Sequence, residues 1–344
     1  MHQRVKFFYG PRSGAVRIGP VAAIPALLEE QDVNGDELIS QAGIDPAIFT
    51  DPENSLSFDD TGHLLELCVK RTGIAHFGLL VGQASSLESL GDFGDLARYA
   101  PTVGEALQGM ILHICTNDRG GVATLSSGHG IAELGYSIYV PVRSGSRQIY
   151  NTSLSIINQL LHAMCGDTFN INEVRFTHSR PADIQPYKKM FNAKVVFDAD
   201  ENVIVFDSHW LDKALPGADE AQYQASLAHL TAVESDLHLD LVEQIRAVLR
   251  PMIVSQRCSV ELVAGLMSMQ PRTLNRRLSD RGTTLRALMG QVRYELAMHL
   301  LAESRMTLIK ISTLLGYSDP SVFSRAFYRW SGSSPSAWRR QNSR

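Results

Sequence analysis

Leu262-Val263-Ala264-Gly265-Leu266-Met267-Ser268-Met269-Gln270-Pro271-Arg272-Thr273-Leu274-Asn275-Arg276-Arg277-Leu278 is followed, 49 positions on, by a second version of the same pattern. That version reads Ile311-Ser312-Thr313-Leu314-Leu315-Gly316-Tyr317-Ser318-Asp319-Pro320-Ser321-Val322-Phe323-Ser324-Arg325-Ala326-Phe327. The shift lays apolar on apolar, Pro271 on Pro320, Leu274 on Phe323 and Arg276 on Arg325. Each version predicts a short helix, a tight turn and a second helix opened by proline, whose missing N–H would have had no intrahelical partner there. This is a helix-turn-helix, written twice, at about residues 259–281 and 307–331.

With Leu274 at zero on a wheel of about 100° per residue, Leu278 falls about 40° away. Arg272 and Arg276 lie near the opposite pole, flanked by Asn275 and Ser279. In the second unit Phe323, Ala326, Phe327 and Trp330 form the apolar stripe, while Ser321, Arg325 and Tyr328 point away from it. Such a helix fits the major groove, where Arg holds guanine O6 and N7 together and Asn does the same for adenine. The flanking Thr273, Arg277, Ser324 and Arg329 are the candidates for phosphate. One arginine on one helix is an ordinary solvated face; the repetition and the matched Arg276 and Arg325 are what favour nucleic acid.

Between the units, Leu285, Leu288, Met289, Val292, Leu296 and Leu300 recur at helical spacing within residues 284–303. At 1.5 Å per residue a helix of that length spans roughly 30 Å. One turn of B-DNA is about 34–36 Å. A stiff rod of this size would let both recognition helices enter successive major grooves on one face of the duplex.

Charge is divided to match. From Arg250 onward 15 Lys and Arg face 5 Asp and Glu, a net +10. The residues before it carry 17 against 31, a net −14, and the two parts make up the −4 of the 344-residue chain. The basic part is the expected nucleic-acid face, and the acidic part discourages DNA from settling elsewhere. Cys68, Cys115, Cys165 and Cys258 stand far apart with no CxxC or Cys/His ligand spacing, which predicts reduced thiols in a cytoplasmic protein. Met1 to Gly10 lacks a signal-peptide core, and no run reaches 18 apolar residues, so neither export nor a membrane is expected.

From about residue 236 to the end, the chain resembles the AraC/XylS family of bacterial transcription regulators. The resemblance rests on Leu315-Gly316-Tyr317-Ser318-Asp319-Pro320-Ser321-Val322-Phe323-Ser324-Arg325-Ala326-Phe327-Tyr328-Arg329-Trp330, then Gly332-Ser333-Ser334-Pro335 and Trp338-Arg339. Arg272-Thr273-Leu274-Asn275-Arg276-Arg277-Leu278, Gly282, Val292-Arg293, Ala297 and Leu300-Leu301 fit it as well. It implies tandem helix-turn-helix DNA binding, with base contacts at Arg272, Asn275, Arg276, Ser321, Val322 and Arg325. The departures are Met267, where the family often has Gly, and Thr313, where Ala is usual. More loosely, Phe77-Gly78-Leu79-Leu80-Val81-Gly82, Gly91-Asp92-Phe93-Gly94 and Val196 to Phe206 are similar to long members of the family with an arabinose-binding-like N-terminal domain. The partners this implies are double-stranded DNA, RNA polymerase, a small-molecule effector and a second copy of the chain, with no cofactor, metal or membrane.

Residues 1–232 are thus expected to form an α+β regulatory domain with a small antiparallel sheet, residues 218–234 a polar helical connector, and residues 233–344 an all-α DNA-binding domain. Helical patterns cover Pro20 to Glu30, Asp36 to Ala42, Thr61 to Arg71, Val103 to about Thr116, and Ser153 to Cys165. Alternation predicts strands at Gly121 to Leu125, Ala132 to Tyr136, Glu173 to Thr177, Ala193 to Phe197 and Asn202 to Phe206, with a turn at Ser127 to Gly130. His113, His162 and His178 have apolar neighbours and read as structural. Arg143 and Arg147, with the hydroxyls of residues 139–147, read as a solvated loop before a carboxylate or phosphate site. No P-loop, GxGxxG or nucleophile elbow occurs, and none of the cysteines sits in an activated setting, so an enzyme such as a repair alkyltransferase is not expected. Two readings remain for the N-terminal domain: a sensor of a small molecule, or a surface that binds only protein.

Overall fold

A computed structural model describes residues 14–140, 142–236, 241–254, 258–267 and 269–342. A two-stranded ribbon, β1 (Ala15–Arg17) against β2 (Ser55–Ser57), brackets α1 (Ile24–Glu29) and α2 (Gly35–Gln41). Four helices follow: α3 (Phe58–Thr72), α4 (Phe77–Gln83), α5 (Asp92–Tyr99) and α6 (Val103–Leu112), the last running on into a 3-10 turn at Ile114–Thr116. The hairpin β3 (Gly121–Gly128) and β4 (Ile131–Ile138) reverses at His129 and Gly130, both with positive φ, as a tight two-residue turn requires. Then come α7 (Ser146–Cys165), β5 (Ile171–Arg175), α8 (Gln185–Phe191), β6 (Lys194–Val196), β7 (Val203–Asp207) and α9 (Glu220–Asp236). The sheet runs β3-β4-β7-β5-β6 and is antiparallel except where β6 lies parallel to β5.

The C-terminal half is all helix: α10 (Leu241–Val254), α11 (Val260–Leu266), α12 (Pro271–Ser279), α13 (Leu285–Glu303), α14 (Leu308–Leu314), α15 (Pro320–Ser331) and α16 (Pro335–Asn342). No described helix is long and apolar enough to cross a membrane. Met1 to Gly10 and Pro141 lie outside the described residues.

The pattern of residues placed the start of α7 at Ser153, but the helix begins at Ser146, seven residues earlier. Its first turns are polar yet buried, because they complete the bonding of α4. Gln148 Oε1 accepts the Gly78 N–H at 2.9 Å, and the Ser155 hydroxyl donates to the Leu79 carbonyl at 2.9 Å. The two helices touch backbone to backbone: a Cβ on Gly78 would lie 2.3 Å from the Gln148 carbonyl, and one on Gly82 2.4 Å from that of Thr152. Glycine is required at both positions, and it hid α4 from a periodicity reading.

α9 is less a linker than a strut. Tyr223 and Leu230 are buried, and the Tyr223 hydroxyl donates to the Glu105 carbonyl at 3.1 Å.

α10 joins the halves. It buries Leu241, Ile245, Val248, Leu249, Met252, Ile253 and Val254, an apolar surface too wide for one neighbour. On one side it packs against α13; on the other it packs against α6, β3 and the 3-10 turn. Ion pairs flank this seat. Lys310 on α14 pairs with Glu201, which also lies 3.8 Å from Arg175; Arg305 reaches Asp198 at 3.4 Å. The Arg250 guanidinium lies 4.8 Å over the Tyr139 ring. Burying one such apolar side chain contributes about 1.5–3 kcal/mol, whereas exposed ion pairs contribute about 0–1 kcal/mol. The apolar seat therefore holds the halves together, and the ion pairs set their register.

Two outcomes are expected. Lys310→Glu, which sets like charges against each other at Glu201, should speed amide exchange in α14 while leaving α10 protected; unchanged exchange in α14 would show that the pair does not hold the register. In α13, the buried Nε2 of His299 has no hydrogen-bond partner, and burial pulls the imidazole from 6.5 down to about 3. The unfolded chain takes up this proton as pH falls below the ordinary value and the folded chain does not, so stability declines through that window toward the folded pKa. Thermal melts of His299→Leu between about pH 7 and pH 5 should fall less steeply than those of the wild type, and parallel curves would contradict this.

Candidate nucleic-acid interface

Each unit starts from a capped helix. The Ser259 hydroxyl accepts the Leu262 N–H at 3.1 Å to open α11, and the Thr307 hydroxyl accepts the Lys310 N–H at 3.2 Å to open α14. The second helices open at Pro271 and Pro320. Asp319 caps α15, accepting the Ser321 N–H at 2.7 Å, and that backbone bond holds its carboxyl below the usual carboxylate range.

The internal repeat runs in two registers. The second helices, α12 and α15, correspond at the 49-position shift, but the first helices, α11 and α14, correspond at 48. At that shift the caps Ser259 and Thr307 align, as do the fully buried pairs Val263 with Ile311 and Ala264 with Ser312. The second turn is therefore one residue longer, and Gly316 takes up the difference at φ +75°, a conformation open to glycine. Met267 instead ends α11 at φ −86°, so the residue that departs from the family pattern sits where no glycine is needed. Thr313 is exposed and donates its hydroxyl to the Ile309 carbonyl at 3.0 Å.

The apolar stripes go inside. Leu274 and Leu278 of α12, and Phe323, Ala326 and Phe327 of α15, are buried. Tyr294 on α13 stacks 5.6 Å from both Phe327 and Trp330. Arg293, also on α13, donates to the Leu315 carbonyl at 2.9 Å and lies 5.2 Å over the Tyr317 ring, clamping the second turn to the rod. Sequence reasoning did not assign Arg293 a role; its position within an otherwise apolar helical stripe was the available signal.

The opposite faces are open. Arg272, Asn275, Arg276 and Arg277 on α12 are exposed, as are Ser321, Val322, Arg325 and Arg329 on α15; Thr273 and Ser324 are half-buried at the edges. Among the described residues, no acidic group lies within ion-pair distance of Arg272, Arg276, Arg277, Arg325 or Arg329. The other basic residues divide into two groups. Arg246 and Arg250 pair with Glu295, Arg305 and Lys310 face the N-terminal domain, and Arg339 donates to the Leu301 carbonyl at 3.3 Å. Arg281, Arg286 and Arg340 are exposed and widen the basic rim, which the pattern reading left out.

Arg143, His162, His178 and the cysteines serve structure, whereas the buried Nε and Nη2 of Arg147 have no hydrogen-bond partner among the described residues. Arg143 donates to Asp59 from its backbone N–H at 2.8 Å and its Nε at 2.5 Å, and this bonding keeps the Asp59 carboxyl below the usual range. His162 bonds the Asn158 carbonyl at 2.9 Å, and His178 lies against Asn151 and the Ser179 carbonyl. The cysteines are free thiols; burial pushes Cys68 up to about 12 and Cys165 up to about 11, the reverse of activation.

Residues 33–215 match the family described as the arabinose-binding N-terminal domain of AraC transcription regulators, and residues 263–341 match a helix-turn-helix domain family. The chain is 25% identical to the ornithine utilization regulator of Pseudomonas aeruginosa, over 96% of its own length and 98% of that protein's. It is 23% identical to the HTH-type transcriptional regulator VirS of Mycobacterium tuberculosis, over 91% and 93%. Among solved structures, the transcriptional regulator CdpR from Pseudomonas aeruginosa aligns over 88% of this chain and 96% of its own, with a TM-score of 0.45 and 24% identity. The first domain and the paired helix-turn-helix units occur together, and the chain belongs to the AraC family of DNA-binding transcription regulators rather than to any enzyme family.

Proposed function

We propose that this regulator reads a DNA sequence through Arg272, Asn275 and Arg276 of α12 and Ser321, Val322 and Arg325 of α15, with Thr273, Arg277, Ser324 and Arg329 on the phosphates. The observation that carries the reading is the division of each recognition helix into a buried apolar stripe and an exposed face whose arginines form no ion pair among the described residues. An unpaired guanidinium can donate two hydrogen bonds to a guanine edge without first breaking a salt bridge. Because both heads sit on one chain, the half-sites are direct and asymmetric, unlike the palindromes read by two-fold dimers.

Residues 1–232 form the controlling domain on this reading, with 233–344 the DNA-binding domain. Control works by differential affinity of an effector for two arrangements of the chain. A small molecule is favoured over a protein-only partner because the first domain holds a concave pocket walled almost wholly by apolar side chains. The protein partners inferred are RNA polymerase, which a regulator recruits or obstructs, and a second copy of the chain, which would duplicate the asymmetric site.

Selection of bound sequences from a random pool, followed by gel-shift titration, tests the base assignments. Arg276→Ala and Arg325→Ala should each cost about 1–3 kcal/mol and relax preference at one base position. Arg329→Ala should weaken all sequences alike and reduce the slope of affinity against salt by about one. Both base-reading variants binding with wild-type affinity and preference would refute the placement of the reading face.

A further inference from the structure

We infer that the N-terminal domain binds an uncharged, largely hydrocarbon small molecule in a cavity between α3, α6, α7 and the β3-β4 face, and that occupancy acts on the DNA-binding half through α10. The inference deepens the effector control proposed above and rests on it for its regulatory part.

The cavity measures about 150 Å³ and is walled by Leu65, Leu107, Met110, Leu134, Ile149 and Leu160 among others. Apolar walls of this kind left in contact with water are unfavourable, and a guest that covers them is favoured. An apolar cavity of about 150 Å³ elsewhere stays dry and accepts benzene. The space therefore accommodates a group on the order of a benzene ring.

The guest's polarity follows from the scarcity of polar groups on the wall, whose hydroxyl donors are already bonded within the protein. Thr61 donates to the Ser57 carbonyl at 2.8 Å, Thr152 to Gln148 at 3.0 Å, and Ser153 to Ile149 at 2.9 Å. Asn117 accepts from Arg17 at 3.0 Å and donates to the Leu90 carbonyl at 3.3 Å. The Asp118 carboxyl accepts the N–H groups of Gly120 and Gly121 at 2.8 and 2.6 Å and the Tyr136 hydroxyl. An anion such as a carboxylate would lose its water, meet no free side-chain donor and face the Asp118 carboxyl, whereas a hydrocarbon loses nothing.

The route to DNA is the packing of α10. Two elements that wall the cavity, α6 and β3, and the 3-10 turn beside them, are the ones α10 packs against in the N-terminal domain. Tyr136 belongs both to the cavity wall and to the cleft that Lys310 and Thr313 line from the DNA-binding side. A guest that pushes α6 or β3 outward moves the seat of α10, and α10 carries α13 with it.

The test uses the full chain, n-propylbenzene as the probe and benzoate as its charged counterpart. Propylbenzene should raise the thermal midpoint by several degrees in a saturable manner, and benzoate should not. Ile157→Phe and Ala123→Ile, two independent ways of filling the cavity, should each abolish the shift while leaving DNA binding without the probe at wild-type strength. Saturating propylbenzene should change gel-shift affinity at least threefold in the wild type and not in the filled variants. No thermal shift, or an equal shift in both filled variants, overturns the site. A shift with no change in DNA affinity overturns the coupling through α10. If the chain bound no selected DNA sequence while the shift persisted, the base-reading proposal would fall and the cavity would stand.

Discussion

The structure depends on α13 being one unbroken helix. Its 19 residues span about 28 Å; it connects the two helix-turn-helix units in sequence and packs against α10, α15 and α16. Leu288, Val292, Leu296 and Leu300 anchor it internally, while Arg293 and Tyr294 grip the second unit by its turn and by its recognition helix. Were the connection a flexible loop of the same length, each binding event would pay to order the two heads, and their spacing would carry no information. A helix fixes that spacing before DNA arrives. Thr284 begins the rod with a hydroxyl that accepts the Ala287 N–H at 3.1 Å, so even its end is defined.

The second organising feature is that α10 belongs to two cores. A helix apolar on two sides has to be covered on both, and here one cover is the DNA-binding rod and the other is the N-terminal domain. A change in either cover is felt by the other through a packed contact, because close-packed interiors shift as blocks and do not deform locally. Two acidic groups beside the sheet, Glu201 and Asp198, meet Lys310 and Arg305 across this border, while Glu133 and Glu173 pair with Arg175 and Lys194 within the sheet itself. The arginines of the recognition helices have no such acidic partners within reach among the described residues, which keeps the two electrostatic tasks apart.

The C-terminal half was the legible half. Prolines at 271 and 320, the repeated apolar pattern and the periodic leucines of residues 284–303 are local signals, and local signals survive in a sequence. What the pattern missed was non-local. α4 and the first turns of α7 looked like loop because glycines and buried polar side chains contradict amphipathic spacing, yet each completes the other's hydrogen bonds. α5 and α8 were not assigned from the sequence, although the equally short α2 was. The one-residue difference between the two turns was invisible because a single shift aligned both proline-led helices and left the first helices one place out of step. Residues 218–234 read as a connector by polarity, whereas Tyr223 and Leu230 tie α9 into the first domain. The exposed residues proposed to read bases followed directly from the apolar stripe, since burial of one face dictates exposure of the other.

The most direct measurement is hydroxyl-radical footprinting of the full chain on a duplex obtained by selection. Two protected patches on one face of the helix, about one turn apart and unequal in sequence, would accord with two heads held by a rigid rod. A single patch, or two patches related by two-fold symmetry with one copy of the chain bound, would contradict it.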